Sequence, residues 1–215
     1  MALPSAPRYN VEILNYVVTS NHVHILVRDK IGQNNISAMM QLVAGRTAQE
    51  YNLRKKRKGA FWEDRYHATA IETGAHLCRC LIYIDLNMVR AVAVQHPREW
   101  VHGGYQEIQC NRRRNTIVDR MALIDAIEID NADSLSVLHD EWITNALNCE
   151  PLQKQESWAS SVAVGSSEYV QKTREELGVK GKVRTLVEND GCFLLREAVE
   201  DYSSAFDAEK GPIDV

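Results

Sequence analysis

A chain of 215 residues with 45% hydrophobic content is long enough to bury a proper core, as one large domain or two small ones. No apolar run approaches the roughly 18–20 residues of a membrane span, and the N-terminus lacks the basic-then-apolar order of a signal peptide, so a cytoplasmic protein with no membrane partner is expected. Five cysteines, Cys78, Cys80, Cys110, Cys149 and Cys192, are odd in number and form no Cys-x-x-Cys pair, which argues against a disulfide framework or a zinc knuckle.

The net charge of -4 argues at first against a nucleic-acid enzyme, yet it is unevenly spread. Residues 1–110 hold 13 Lys+Arg against 9 Asp+Glu, and residues 111–215 hold 12 against 20. Such asymmetry points to two units with different partners. We therefore expect a domain over 1–110 and a second unit, an extension of unassigned role, over 111–215.

In chain order, Met1 to Pro7 carries no pattern. Val11 to Tyr16 and His22 to Val27 are β-branched and apolar, and predict two antiparallel strands turning near Ser20-Asn21. On a strand, residues i and i+2 share a face, so His22 and His24 aim side by side while Val23 turns away. The pair is either two hydrogen-bonded histidines on a half-buried sheet or two ligands of a divalent cation. Ile36 to Tyr51 predicts a helix, with Ile36, Met39, Met40, Val43 and Thr47 at three- and four-residue spacing and Ser37 as its cap.

Arg54-Lys55-Lys56-Arg57-Lys58 breaks that pattern and Gly59 closes the loop. Five like charges form either a solvated loop or an electrostatic contact for a phosphate backbone. Phe61 to Ile71 reads as irregular chain entering a strand at Ala68 to Ile71. Phe61, Trp62 and Tyr66 are placed either to stack on unpaired bases or to pack inward. Thr73 to Val92 predicts a second long helix with Leu77, Leu81, Ile84 and Met88 on one face; Tyr83 and Asn87 stand one turn apart. His96-Pro97 and Gly103-Gly104 mark its exit.

Arg112-Arg113-Arg114 is the candidate linker. Beyond it, Arg120 to Ile129, Ser134 to Asn148 and Ser166 to Leu177 predict helices, the last stopped by Gly178. Residues 183–197 predict a hairpin across Asn189-Asp190-Gly191, and a weakly ordered tail follows from Tyr202.

His22-Val23-His24, followed by Tyr83-Ile84-Asp85-Leu86-Asn87-Met88-Val89-Arg90-Ala91, resembles the single-tyrosine HUH transposases of the IS200-like group, specifically the REP-associated tyrosine transposases. Ala44-Gly45-Arg46 and Gly59 to His67 stand where that family carries similar residues, and the resemblance covers roughly residues 10–108. It implies an α+β fold: a ferredoxin-like antiparallel sheet with helices on one face, followed here by a mostly helical C-terminal extension. It implies Tyr83 as nucleophile, a Mg2+ or Mn2+ ion held by His22, His24 and Asn87, and a 5′-phosphotyrosine formed on single-stranded, hairpin-bearing DNA. Arg54, Lys55, Lys56, Arg57, Lys58, Arg65 and Arg90 are the expected DNA contacts, with Arg90 alternatively pairing with Asp85. His67 is a further candidate ligand or proton carrier.

The family's usual first strand and helix have no counterpart ahead of Val11, which leaves a sheet edge open and favours a homodimer. Two other functions compete with the transposase. One is a catalytically inactive binder of DNA hairpins derived from such an enzyme, and the other is a metal hydrolase that activates water with His22 and His24.

Overall fold

In the computed structural model, which describes residues 9–30, 35–110, 116–149, 157–189 and 191–197, the first apolar runs form the predicted hairpin. Strands β1 (Val11–Val18) and β2 (Val23–Asp29) pair antiparallel from Val11 opposite Asp29 to Val18 opposite Val23. Each extends two residues past its expected end, and His22 sits in the turn rather than on the strand. A bulge at Leu14 lets Ile13 face Val27 while Asn15 faces Leu26. The outer edge of β1 is not left open. Val18 N–H donates to His102 O at 2.8 Å, Gly104 N–H to Tyr16 O at 2.8 Å, and Asp119 N–H to Ile13 O at 2.8 Å. That approach needs a glycine at 104, because a Cβ there would run into Asn15 Oδ1.

Helix α1 (Asn35–Lys55) is longer than its spacing predicts. Its first backbone N–H donates to Asp29 Oδ2 at 3.3 Å, so Asp29 serves the helix start. Ser37 lies inside the helix and its hydroxyl pairs with that of Tyr66 at 2.7 Å. Met39 and Val43 bury in one cluster with Val11. Arg54 and Lys55 occupy the last turn, where cations suit the negative end of the helix dipole. Lys56 at φ 49° and Gly59 at φ 99° then end the helical path.

The expected helix over 73–92 is interrupted. It forms α2 (Ala75–Asp85) and α3 (Asn87–Arg90), separated by Leu86. Backbone bonds from Leu86 N–H to Ile82 O and from Arg90 N–H to Leu86 O, both 2.9 Å, carry across the break. Leu77, Leu81, Ile84 and Met88 are buried as the spacing requires. A 3-10 turn at Pro97–Glu99 and α4 (Tyr105–Gln109) follow.

The remaining helices are α5 (Arg120–Ala126), α6 (Leu135–Asn148), α7 (Ser157–Ser160), α8 (Ser167–Glu176) and α9 (Val179–Lys182). Asp119 caps α5 through Ala122 N–H at 3.1 Å, and Ser166 caps α8 through Tyr169 N–H at 3.2 Å. Strands β3 (Ala70–Ile71), β4 (Ala163–Gly165), β5 (Arg184–Asn189) and β6 (Cys192–Glu197) form a second sheet in the order β3-β4-β6-β5.

The α+β class stands, but the strands of the described residues lie in two sheets rather than one antiparallel ferredoxin-like sheet. The reason is local. β3 has only two residues and takes β4 as a parallel partner, with Ala70 N–H donating to Val162 O at 2.9 Å and Glu72 N–H to Val164 O at 3.1 Å. The Glu72 carboxylate then accepts from the Ser166 backbone N–H at 2.5 Å and hydroxyl at 3.0 Å.

The core also crosses position 110, since Leu77, Leu81, Leu123, Leu135 and Leu194 share one buried cluster. The candidate linker Arg112–Arg114, the start Met1–Pro7 and the tail from Tyr202 lie outside the described residues. Among the described residues no helix is long and apolar enough to cross a membrane.

Candidate active site at the histidine hairpin and the tyrosine helix

The hairpin turn and α2 bring three rings together. The His22 and His24 ring centroids are 4.9 Å apart, edge to face, and His24 meets the Tyr83 ring edge-on at 5.8 Å. Residues 59 or more positions apart in sequence thus form one contiguous row. Arg90, the last residue of α3, lays its guanidinium over the Tyr83 ring at 4.2 Å and donates to Tyr83 O. Trp158 of α7 lies on the same tyrosine, ring centroids 6.4 Å apart.

Each histidine is prepared differently. His22 is exposed, and its ring is held by the turn: Nδ1 lies 2.9 Å from Asn21 Oδ1 and 3.1 Å from Thr19 Oγ1. An amide oxygen only accepts, so Nδ1 carries the proton in that bond and Nε2 keeps its lone pair. Thr19 Oγ1 also receives the His22 backbone N–H at 3.0 Å, which fixes the residue. His24 is half-buried. Burial, then the nearby His22 and Arg90 charges, push its pKa down to about 4, so it is neutral at ordinary pH. A neutral imidazole is the form that binds a metal.

Asn87 opens α3, half-buried, and among the described residues its amide has no hydrogen-bond partner. The Tyr83 side chain is largely buried at 6% exposure, beneath the Arg90 guanidinium. Among the described residues no third His, Cys, Asp or Glu joins the histidine pair to make a metal group. Any further protein ligand would have to be another donor type, such as an amide oxygen.

The other expected contacts are dispersed. Arg54 pairs with Glu50, while Arg57 donates to Ala60 O at 2.8 Å and stacks on the Tyr51 ring at 5.7 Å. Lys55, Lys56, Lys58 and Arg65 are exposed and make no ion pair with a described residue. Phe61 and Trp62 pack in a cluster with Tyr51, and Trp62 Nε1–H donates to Ala44 O at 2.9 Å. Tyr66 stays exposed. His67 is engaged elsewhere in the chain, with Nε2 2.9 Å from Ser161 O. Arg90 makes no ion pair with Asp85 among the described residues; its contact is Tyr83.

Sequence spacing missed Thr19 and Asn21, which hold His22, and Trp158, which touches Tyr83 from 75 positions away. Thr-x-Asn-His was readable as a side-chain turn. Nothing in the local sequence marks Trp158.

Residues 4–87 match the family model described as IS200-like transposase. The match supports a place for this segment in the transposase family and points to transposase-type DNA function. It spans the histidine pair and Tyr83, ends at Asn87, and covers less than half of the chain. No curated protein and no solved structure gives a match.

Proposed function

We propose that this chain is a single-tyrosine transposase of the REP-associated type, which cuts and rejoins single-stranded, hairpin-bearing DNA. The observation that carries the reading is the row His22, His24, Tyr83 and Arg90, assembled from two distant segments. The reading takes an HUH arrangement as its premise, with the β1–β2 hairpin and the tyrosine helix as its working parts.

The donor set fits a hard divalent cation. His22 offers Nε2, His24 is held neutral, and the Asn87 amide is uncommitted among the described residues. These three residues would hold Mg2+ or Mn2+, and the ion when bound supplies Lewis-acid stabilisation of phosphate charge. The chain's own residues do the rest. The Tyr83 hydroxyl oxygen bonds to phosphorus, the phosphorus–O3′ bond breaks, the phenolic proton passes to water and the released 3′-oxygen takes up a proton. The product is a 5′-phosphotyrosine, which conserves the ester bond for later joining. Arg90 holds the tyrosine ring by stacking its guanidinium over it. The exposed lysines at 55, 56 and 58, with Arg65, would hold the phosphate backbone as point charges. Among the described residues β2 takes only β1 as a strand partner, and a second copy of the chain is expected beside its other edge.

The deciding experiment mixes the protein with hairpin-bearing single-stranded DNA and Mn2+ and resolves the products after denaturation. Wild-type protein is expected to stay attached to the 5′ end of one product. Tyr83→Phe is expected to abolish the adduct while leaving DNA affinity within about twofold, since one hydroxyl is lost. Binding without any adduct would favour the inactive hairpin binder. Cleavage that survives Tyr83→Phe would favour a water-activating hydrolase.

A further inference from the structure

Three polar side chains meet in the core behind the site, from three distant segments. Asn15 of β1 and His139 of α6 are fully buried at 0% exposure, and Asp85, the last residue of α2, is buried with them. The Asp85 carboxylate accepts from Asn15 Nδ2–H at 3.0 Å on Oδ1 and pairs with His139 Nε2 at 2.8 Å on Oδ2. His139 Nδ1 lies 2.9 Å from Gln109 Nε2, whose N–H donates. Nδ1 therefore accepts, Nε2 carries the proton, and the imidazole donates to Asp85. Asn15 completes the set by receiving Tyr16 N–H on Oδ1 at 2.8 Å.

Buried polar groups of this kind must all be paired, and a fully paired set is directional in a way that apolar packing is not. Leucines on one face of α2 tolerate a small rotation of the helix. Two hydrogen bonds of fixed length, gripping one carboxylate from opposite sides, do not. Asp85 sits two residues after Tyr83 and two before Asn87, so whatever fixes Asp85 fixes the turn that carries both. The family match ends at Asn87, whereas His139 lies 52 residues further on.

We propose that His139 is a positioning residue for Tyr83: acting through Asp85, the C-terminal half sets the angle at which the tyrosine faces the histidine pair. This rests on the transposase reading for its kinetic consequence, but the placement of the ring is measurable without it. His139 touches no reacting atom. Its work is to hold the end of α2 in one rotation, with Asn15 as the opposite jaw.

The test compares wild type, His139→Leu, which removes the donor, and His139→Gln, whose amide N–H can still reach a carboxylate. Two readouts are taken on the full chain with Mn2+. The first is the rate of covalent adduct formation at saturating DNA against the DNA concentration giving half that rate. His139→Leu is expected to slow the saturated rate by about 100-fold, the cost of a misplacement near 1 Å. Its half-saturating concentration should stay within about twofold, and His139→Gln should recover most of the rate. The second readout is the 19F signal of fluorotyrosine at position 83, assigned by its loss in Tyr83→Phe. One sharp line is expected in wild type and His139→Gln, and a shifted or split line in His139→Leu.

If His139→Leu fails to fold, the double variant Asp85→Leu with His139→Leu, which leaves no buried charge unpaired, takes its place. A wild-type rate and an unmoved 19F line in the variant lacking the donor overturn the proposal. So does a loss of rate that follows loss of DNA affinity and that His139→Gln does not restore. If wild type forms no adduct, the transposase reading falls, and the 19F line alone decides whether His139 positions the ring.

Discussion

The two halves of this molecule differ in how they carry meaning. The front, residues 9–90 of the described chain, carries its candidate site in short motifs: a His-x-His at a hairpin turn and a Tyr-x-x-x-Asn that spans the break between α2 and α3. The back, residues 116–197, has no such motif, yet it supplies Trp158 against Tyr83, His139 against Asp85 and β4 against β3. Motifs report which atoms could react. What holds those atoms at a working distance is spread through the chain as single buried residues. The acidic back is therefore structurally part of the unit that carries the basic front.

The largest expected effect tests that unity. Leu135 of α6 is fully buried in the same cluster as Leu77 and Leu81 of α2. Leu135→Ala should cost about 2–5 kcal/mol, the usual range for a cavity in a core that collapses only in part. If the halves are one cooperative unit, urea unfolding followed by tryptophan fluorescence and by far-ultraviolet circular dichroism will shift together. Two separated transitions, with only one moved by the substitution, would break the comparison.

A smaller effect is expected from acid. His24 is held neutral by the fold, with a pKa of about 4 against the ordinary 6.5. Between those values the unfolded chain takes up a proton that the folded chain refuses, so stability is complete above pH 6.5 and falls as the pH drops toward 4. Each unit is worth about 1.4 kcal/mol, and partial exposure brings the total to about 2 kcal/mol. Urea unfolding at pH 7.5 and pH 4.5 should show wild type losing that much more than His24→Gln. Equal losses in the two proteins would mean that the fold does not hold the imidazole neutral.

Much of the fold was legible because it rests on local rules. The hairpin, both long helices, the stop at Gly178 and the β5–β6 pair lie within a few residues of where alternation, helical spacing and turn chemistry place them. The break at Leu86 was not legible, since Leu77, Leu81, Ile84 and Met88 keep perfect spacing straight through it. The single sheet was not legible either. β3 is two residues long, and its partner lies 93 positions away, a choice that no local pattern records.

At the candidate site, His22, His24 and Tyr83, which meet as rings, stood out by residue type and spacing, whereas the place of the Asn87 amide beside them did not follow from its one-turn spacing to Tyr83. Arg90 was legible as a cation but not as the group that stacks on Tyr83. Its partner depends on the rotation of α3 relative to α2, and that rotation is set at the break. Asp85 and His139 were unreadable for a different reason. A lone acid on an apolar helix looks like a solvated residue until its partner is placed beside it.

The smallest expected effect concerns the basic run, where the structure divides five residues that sequence alone treats as equal. Arg54 is paired with Glu50, and Arg57 is spent on Ala60 O and the Tyr51 ring. An arginine already held by a carboxylate or an aromatic face must give that contact up before it can serve a phosphate. Lys55, Lys56 and Lys58 have no such commitment among the described residues. Replacing these three lysines by alanine should therefore reduce the dependence of log affinity on log salt by about 2, from a slope of about 0.7 per phosphate contact on single strands. The Arg54→Ala and Arg57→Ala pair should reduce it by less than 1. The measurement is DNA binding by fluorescence anisotropy across a salt series, with Tyr83→Phe as background so that no strand is cut during titration. A slope that ignores the lysines would place the phosphate path elsewhere on the front, and equal slopes for both sets would show that DNA strips the arginines of their protein partners.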